Sequence, residues 1–272
     1  MTTTTTSGPI EGYVKESPAA TREGDVLTLD VQSRYYKQVN AAIRAAFADG
    51  VTTVKLEHVN GQRYIGTGIK GKELTIEVHG TPGQDLAMFM DGPTVEVFGN
   101  AQDGVGNTMN AGKVIIHGDA GDVLGYGMRG GKVFIKGDVG YRVGIHMKAY
   151  EDLRPIMVCG GRARDFFGEY MAGGLLILLG MNSRLDGPLV GGYVGTGMHG
   201  GAIYLRGEVE PWQCGKEVGV FTANEADIAD IKPVLAEYCE AMGMDLDEVL
   251  SAPFTKLVPV SHRPYGKLYT YL

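Results

Sequence analysis

Residues 90–140 read MDGPTVEVFGNAQDGVGNTMNAGKVIIHGDAGDVLGYGMRGGKVFIKGDVG. Met90, Met109, Met128 and Met147 recur every 19 residues, as do Gly99, Gly118 and Gly137, and Gly106, Gly125 and Gly144. A fixed period of this size is the mark of a solenoid, in which each repeat is too small to bury its own apolar face and does so against its neighbours.

Within a repeat, a glycine-rich corner leads into a short alternating run. In Lys113–His117 and Lys132–Lys136 the inward candidates are Val114, Ile116, Val133 and Ile135. Alternation of this kind describes a strand with one buried face, and stacked coils would set such strands about 4.8 Å apart. Glycine suits the corners, where the chain must bend, often with positive φ. The ladder extends in both directions as Ile76/Val78, Val95/Val97, Ile156/Val158, Leu176/Leu178 and Ile203/Leu205. Seven such pairs imply about seven coils of a β-helix with an aliphatic interior. The methionine row continues at Met171 and Met198, with Ile69 in the equivalent place before Met90, and reads as core because Met fills irregular corners.

Two coils are long. Met147 to Met171 spans 24 residues, with Ala149–Arg154 as the extra material, and Met171 to Met198 spans 27, with extra residues around Asn182–Pro188. Insertions in solenoids protrude from a coil and often lie on a binding face. Tyr150, Glu151, Asp152, Arg154, Arg184 and Asp186 are therefore candidate interface residues. A second candidate is the middle outward residue of each strand, which runs Glu77, Glu96, Ile115, Phe134, Met157, Ile177, Tyr204. It turns apolar after two coils, and an apolar stripe of that length needs a cover. Ile115, Phe134, Met157 and Ile177 are expected to meet either the chain's own C-terminal helix, the favoured reading because that helix follows the last coil directly, or a partner.

The flanks follow different rules. Residues 1–25 are Thr-rich and read as a mobile tail. Residues 26–63 read as a strand–helix–strand cap, with helical spacing at Val39, Ile43, Ala46 and Phe47 and Gly50 as its stop. The solenoid occupies residues 64–210, and residues 211–272 form a helix and an extended tail. In that helix Ile228, Ile231, Leu235, Tyr238 and Met242 share a face, Pro233 is expected to break or kink it, and Asp245–Leu250 adds a further turn or two.

Composition narrows the function. The 272 residues carry 42 glycines and 44% hydrophobic residues, enough for a core. A net charge of -7 and a pI near 5.4 argue against nucleic-acid or anionic-membrane partners. No apolar run reaches the roughly 20 residues of a membrane span, and the first residues lack the pattern of a signal peptide. Cys159, Cys214 and Cys239 show no metal or cluster spacing and read as reduced cytosolic thiols.

No catalytic motif survives its context. Gly66–Gly71, Gly125–Gly130 and Gly195–Gly200 match GxGxxG, but strands follow them, whereas a dinucleotide site needs a helix whose N-terminus meets the pyrophosphate. There is no HExxH or GxSxG. His79 and His117 fall at equivalent outward positions, and His146 and His199 flank corner methionines. Asp103, Asp119, Asp122 and Asp138 lie in turns, where Asp is expected to bond its local backbone.

The tandem pattern GxxMxGGxxxxxGDxG, as in Gly125–Gly140, resembles the GXGXG domain at the C-terminus of the large subunit of glutamate synthase. The resemblance also takes in Asn60–Gly66 and Gly80–Gln84 and covers about Val51 to Leu250. It implies a right-handed parallel β-helix, mainly β, with no catalytic, cofactor-binding or metal residues of its own. It further implies partners: a glutaminase-type subunit and an FMN and iron–sulfur synthase-type subunit. This chain carries no Cys after Met1, no cysteine cluster and no barrel pattern, and so resembles that domain as a separate cytoplasmic scaffold subunit. The related solenoid chain of formylmethanofuran dehydrogenase is the near alternative, without an obvious counterpart to the C-terminal helix. A free-standing enzyme using its glycine corners as a ligand cradle is the rival from another class.

Overall fold

A computed structural model describes residues 15–260. One twelve-stranded sheet runs through it, its strands neighbouring one another in chain order except for the last two, which are exchanged. The solenoid strands are β4 (Thr75–Thr81), β5 (Asp91–Val97), β6 (Ala111–Ile116), β7 (Lys132–Ile135), β8 (Ile156–Cys159), β9 (Ala172–Leu178) and β10 (Gly200–Arg206). Each pairs in parallel with the next, so six full turns separate the first from the last.

Two inward rows form the core: Ile76, Val95, Val114, Val133, Met157, Leu176 and Ile203, and beside it Val78, Val97, Ile116, Ile135, Cys159, Leu178 and Leu205. All are fully buried. One strand departs from the expected register. In β8 the inward residues are Met157 and Cys159, not Ile156 and Val158, because Val133 pairs with Met157 and Phe134 with Val158. The methionine row is core throughout: Met90, Met109, Met128, Met147, Met171 and Met198 are buried.

The corners explain the glycine motif. In each coil three residues of positive φ alternate with residues of negative φ: Gly104, Gly106 and Thr108, then Val123, Gly125 and Gly127, then Arg142, Gly144 and His146. The N–H groups of the three positive-φ residues point alternately to the two neighbouring coils. Gly104 N donates to Asp122 O of the following coil, Gly106 N to Leu86 O of the preceding one, and Thr108 N to Tyr126 O of the following one, at 2.8–2.9 Å. The left-handed conformation costs a non-glycine residue roughly 1–2 kcal/mol. Asp85, Ala87 and Phe89 accept it in one coil, where the same inter-coil bonds hold them.

The turn aspartates bond between coils and not locally, contrary to expectation. Asp119 Oδ1 accepts from Asp138 N, Asp103 Oδ1 from Asp122 N, and Asp122 Oδ1 from Tyr141 N, each at 2.9 Å. Stacking brings an N–H of the next coil within hydrogen-bond distance of each carboxylate. The neighbouring glycines are then obligatory: a Cβ on Gly137 would lie 2.0 Å from Asp119 Oδ1, and one on Gly140 1.9 Å from Asp122 Oδ1.

Both ends are closed by the chain itself. At the start, β2 (Val26–Asp30), α1 (Tyr36–Ala48) and β3 (Thr53–Asn60) form a parallel strand–helix–strand unit whose helix buries Val39, Ile43 and Ala46 against the core. A further strand, β1 (Ala19–Glu23), pairs antiparallel with β2 inside the segment read as tail; residues 1–14 lie outside the described residues. At the other end, a 3-10 turn at Pro211–Gln213 leads to β11 (Val218–Thr222), α2 (Glu225–Met242), α3 (Leu246–Leu250) and β12 (Phe254–Pro259). The stretch read as an extended tail thus contributes β12, inserted antiparallel between β10 and β11, while residues 261–272 lie outside the described residues. Helix α2 starts at a reciprocal capping box between Asn224 and Asp227 and ends at left-handed Gly243. It continues through Pro233, which is exposed, so the carbonyl freed by the missing N–H faces the solvent side.

Candidate interaction surfaces

The outward row of the sheet reads Lys55, Glu77, Glu96, Ile115, Phe134, Val158, Ile177, Tyr204. From Ile115 onward it is apolar and buried, because α2 lies across it. Ile231, Leu235, Tyr238, Cys239 and Met242 pack on Phe134, Val158, Ile177 and Tyr204 as a second core. The Tyr238 ring meets Phe134 edge-on at 5.6 Å. Glu237 binds Lys113 (Oε1–Nζ 2.5 Å) and Lys132, and Asp227 binds Lys256 (2.5 Å). Partial burial raises the Glu237 carboxyl, but its hydrogen bonds and charge interactions with Lys113 and Lys132 outweigh this and hold it below its usual value. Ile115, Phe134 and Ile177 are therefore covered within the chain. Met157 is not in the stripe: β8 is offset by one residue from the expected register, so Met157 points inward and Val158 takes its place.

The two insertions differ in how firmly they are held. In the first, Tyr150 and Leu153 exchange backbone hydrogen bonds (3.0 and 2.9 Å) across a tight turn with Glu151 at φ 52°. Tyr150, Glu151, Asp152 and Arg154 are exposed, and Arg154 reaches Asp230 of α2 at 3.1 Å. The second is pinned by Asp138, which is 7% exposed and accepts from Arg162 N (2.7 Å) and Arg184 N (2.8 Å). Burial opposes ionisation of Asp138, yet the N–H groups of Arg162, Arg184 and Leu185 and the Ser183 hydroxyl prevail and hold its carboxyl below the usual range. The side chains of Arg184 and Asp186 remain exposed.

A third surface escaped sequence reasoning. On the corner face, Arg142 lies over the Phe166 ring (4.5 Å), Phe166 stacks on Tyr193 (4.9 Å), and His146 stacks on Tyr170 (5.3 Å) and meets Tyr126 edge-on. Tyr126, Tyr141, Tyr170 and Tyr193 are all exposed there. A shallow depression of about 310 Å³ lies on the same face, between Asp85, Asp103, Asn107 and Tyr126. Position two before each corner glycine carries Arg142, Phe166 and Tyr193, a signal the two insertions hide by breaking the 19-residue count. On another face His79, Phe98 and His117 stack at 4.8 and 5.3 Å, with His117 bound to Glu96. Among the described residues no group of His, Cys, Asp and Glu could hold a metal ion, the three cysteines are free, and no helix is long and apolar enough to cross a membrane.

Alternate N–H groups of the corners are engaged between coils. Gly125 N donates to Val105 O (2.7 Å), Gly127 N to Ile145 O (3.0 Å) and Gly195 N to Phe167 O (2.8 Å). In the remaining segment Gly68 N donates to Met88 O (2.9 Å), so all three GxGxxG segments are inter-coil corners.

Comparison with known proteins agrees with this architecture. The family described as the GXGXG motif matches residues 31–260. A protein of Methanocaldococcus jannaschii, the uncharacterized protein MJ1350, is 46% identical over 251 residues, which is 90% of this chain and 96% of that protein. Among solved structures, the formyltransferase/hydrolase complex FhcABCD of Methylorubrum extorquens, in complex with methylofuran, contains a chain of similar fold. The likeness has a TM-score of 0.59 at 22% identity and covers 78% of this chain and 80% of that one.

Proposed function

Because the chain belongs to the GXGXG motif family, we propose that it is a non-catalytic scaffold subunit of a glutamate synthase-like complex. Partner chains would hydrolyse glutamine and carry the FMN and iron–sulfur chemistry. The observation that carries this reading is the state of the glycine corners. Alternate N–H groups there hold adjacent coils together, which argues against their use as the backbone cradle of a free-standing nucleotide or phosphate enzyme. The exposed tyrosines of the corner face and the exposed insertion residues are the kind of surface that docks partners, since Tyr and Arg concentrate at interface centres.

A second reading, a subunit of a formyl-transferring and hydrolysing complex, is favoured by the shared fold with a chain of FhcABCD. One experiment separates the two: tagging this chain in its own cell and identifying the chains that purify with it. Glutaminase-type and flavin-containing chains are expected. Recovery of formyltransferase/hydrolase chains would replace the first reading with the second. Glutaminase activity in the chain purified alone would overturn both.

A further inference from the structure

The two edges of the sheet are built differently. Strand β1, at one end, carries Arg22 and Glu23, and charge on an edge discourages further pairing. Strand β11, at the other end, reads Val218-Gly219-Val220-Phe221-Thr222, with no charge. Val220 is 40% exposed, Phe221 55% and the adjoining Val260 65%. Val260 N donates to Glu217 O and Ala223 N to Phe254 O, so residues 217, 219, 221 and 223 face β12. By alternation, the backbone groups of Val220 and Thr222 face outward.

We propose that β11 is a self-pairing edge through which two copies of this chain join antiparallel about Val220. The strand is complementary to itself in that register. Val220 meets Val220 of the copy in a hydrogen-bonded pair, and Val218 meets Thr222, all β-branched side chains on one face. On the other face Gly219 meets Phe221 of the copy. In the single chain the Phe221 ring already lies over Gly219, where a Cβ would come within 2.7 Å. The two glycines therefore leave a floor on which the two rings pack across the seam, as aromatics do over strand glycines. At the ends Lys216 falls opposite Asn224 of the copy, beside Glu225. Both Lys216 and Glu225 are exposed, so the pairing adds two reciprocal opposite-charge contacts.

The test is sedimentation equilibrium of the full chain over a range of concentrations, which should show monomer and dimer. Val220→Lys sets like charges face to face and should raise the dissociation constant by at least about fivefold, with the melting temperature unchanged. Lys216→Glu alone and Glu225→Lys alone should each weaken the dimer about threefold. Mixing those two variants should restore it, because in the mixed pair both end contacts again join opposite charges. A wild-type chain that stays monomeric, a dimer indifferent to Val220→Lys, or charge variants that fail to rescue each other would overturn the proposal. So would a dimer that forms only after removal of residues 261–272, which would give the edge to the chain's own C-terminal segment.

Discussion

The Tyr238 hydroxyl donates to the carbonyl of Ile135 at 3.1 Å, so helix α2 bonds directly to the backbone of a central coil. The hydroxyl occupies space that only glycine leaves free, since a Cβ on Gly160 would lie 2.2 Å from it. Tyr238→Phe should cost about 1 kcal/mol in urea unfolding, the typical net worth of one hydrogen bond. Gly160→Ala should cost more, because the added methyl also meets Lys136 O at 2.3 Å. Equal effects from the two substitutions would contradict this packing.

Phe134 is fully buried beneath α2. Phe134→Glu leaves an unpaired charge there and should destabilise the isolated protein by about 3–5 kcal/mol. An unchanged melting temperature would mean that the helix does not cover the stripe in solution.

The register of β8 can be tested by cavity formation. Met157→Ala empties a core position and should cost about 2–5 kcal/mol. Ile156→Ala, at a half-buried outward position, should cost less. The reverse order in thermal unfolding would restore the simpler register with Ile156 and Val158 inside.

Asp119 and Gly137 should be energetically coupled. Gly137→Ala collides with Asp119 Oδ1 in the wild type and is partly relieved once Asp119→Ala removes that oxygen. A double-mutant cycle should return an interaction of about 0.5–3 kcal/mol. A cycle that closes to zero would refute the inter-coil role of the carboxylate.

Acid should loosen α2 through Glu237. Its carboxyl is held below the usual value of 4.5 when folded. Stability from its contacts with Lys113 and Lys132 is therefore present above that value and lost as pH falls through the lower folded one. Glu237→Gln should flatten the acid limb of the stability profile and lower stability at neutral pH. A profile identical to wild type would exclude this contribution.

Much of the fold was legible because lysines phase the strands. Lys113 and Lys132 each begin an alternating run and mark which face is outward. In Ile156-Met157-Val158-Cys159 every residue is apolar, so alternation has no anchor, and the preceding insertion removes the 19-residue count that could have replaced it. Strand β9 is as apolar but falls in the expected phase. The C-terminal helix face was readable from its spacing, and so was the expectation that it lies on the stripe. The pairing of β12 was not, because which edge an extended segment joins depends on contacts distant in sequence. The aromatic corner face stayed hidden for the same reason: Arg142, Phe166 and Tyr193 become neighbours only after two unequal insertions are folded away.

The distance along the chain between the stripe and its cover has a consequence for synthesis. Lys132 and Glu237 are 105 residues apart. At about 5–20 residues per second, a ribosome takes roughly 5–20 s to bridge that interval. During it the coils can stack while Phe134, Val158 and Ile177 remain bare. A nascent chain halted before Asn224 should bind an apolar dye or a chaperone strongly, and release of the last segment should end that binding. The helix thus acts as a signal for the solenoid: the coils stop presenting a sticky surface only once residues 225–242 have been made and folded back.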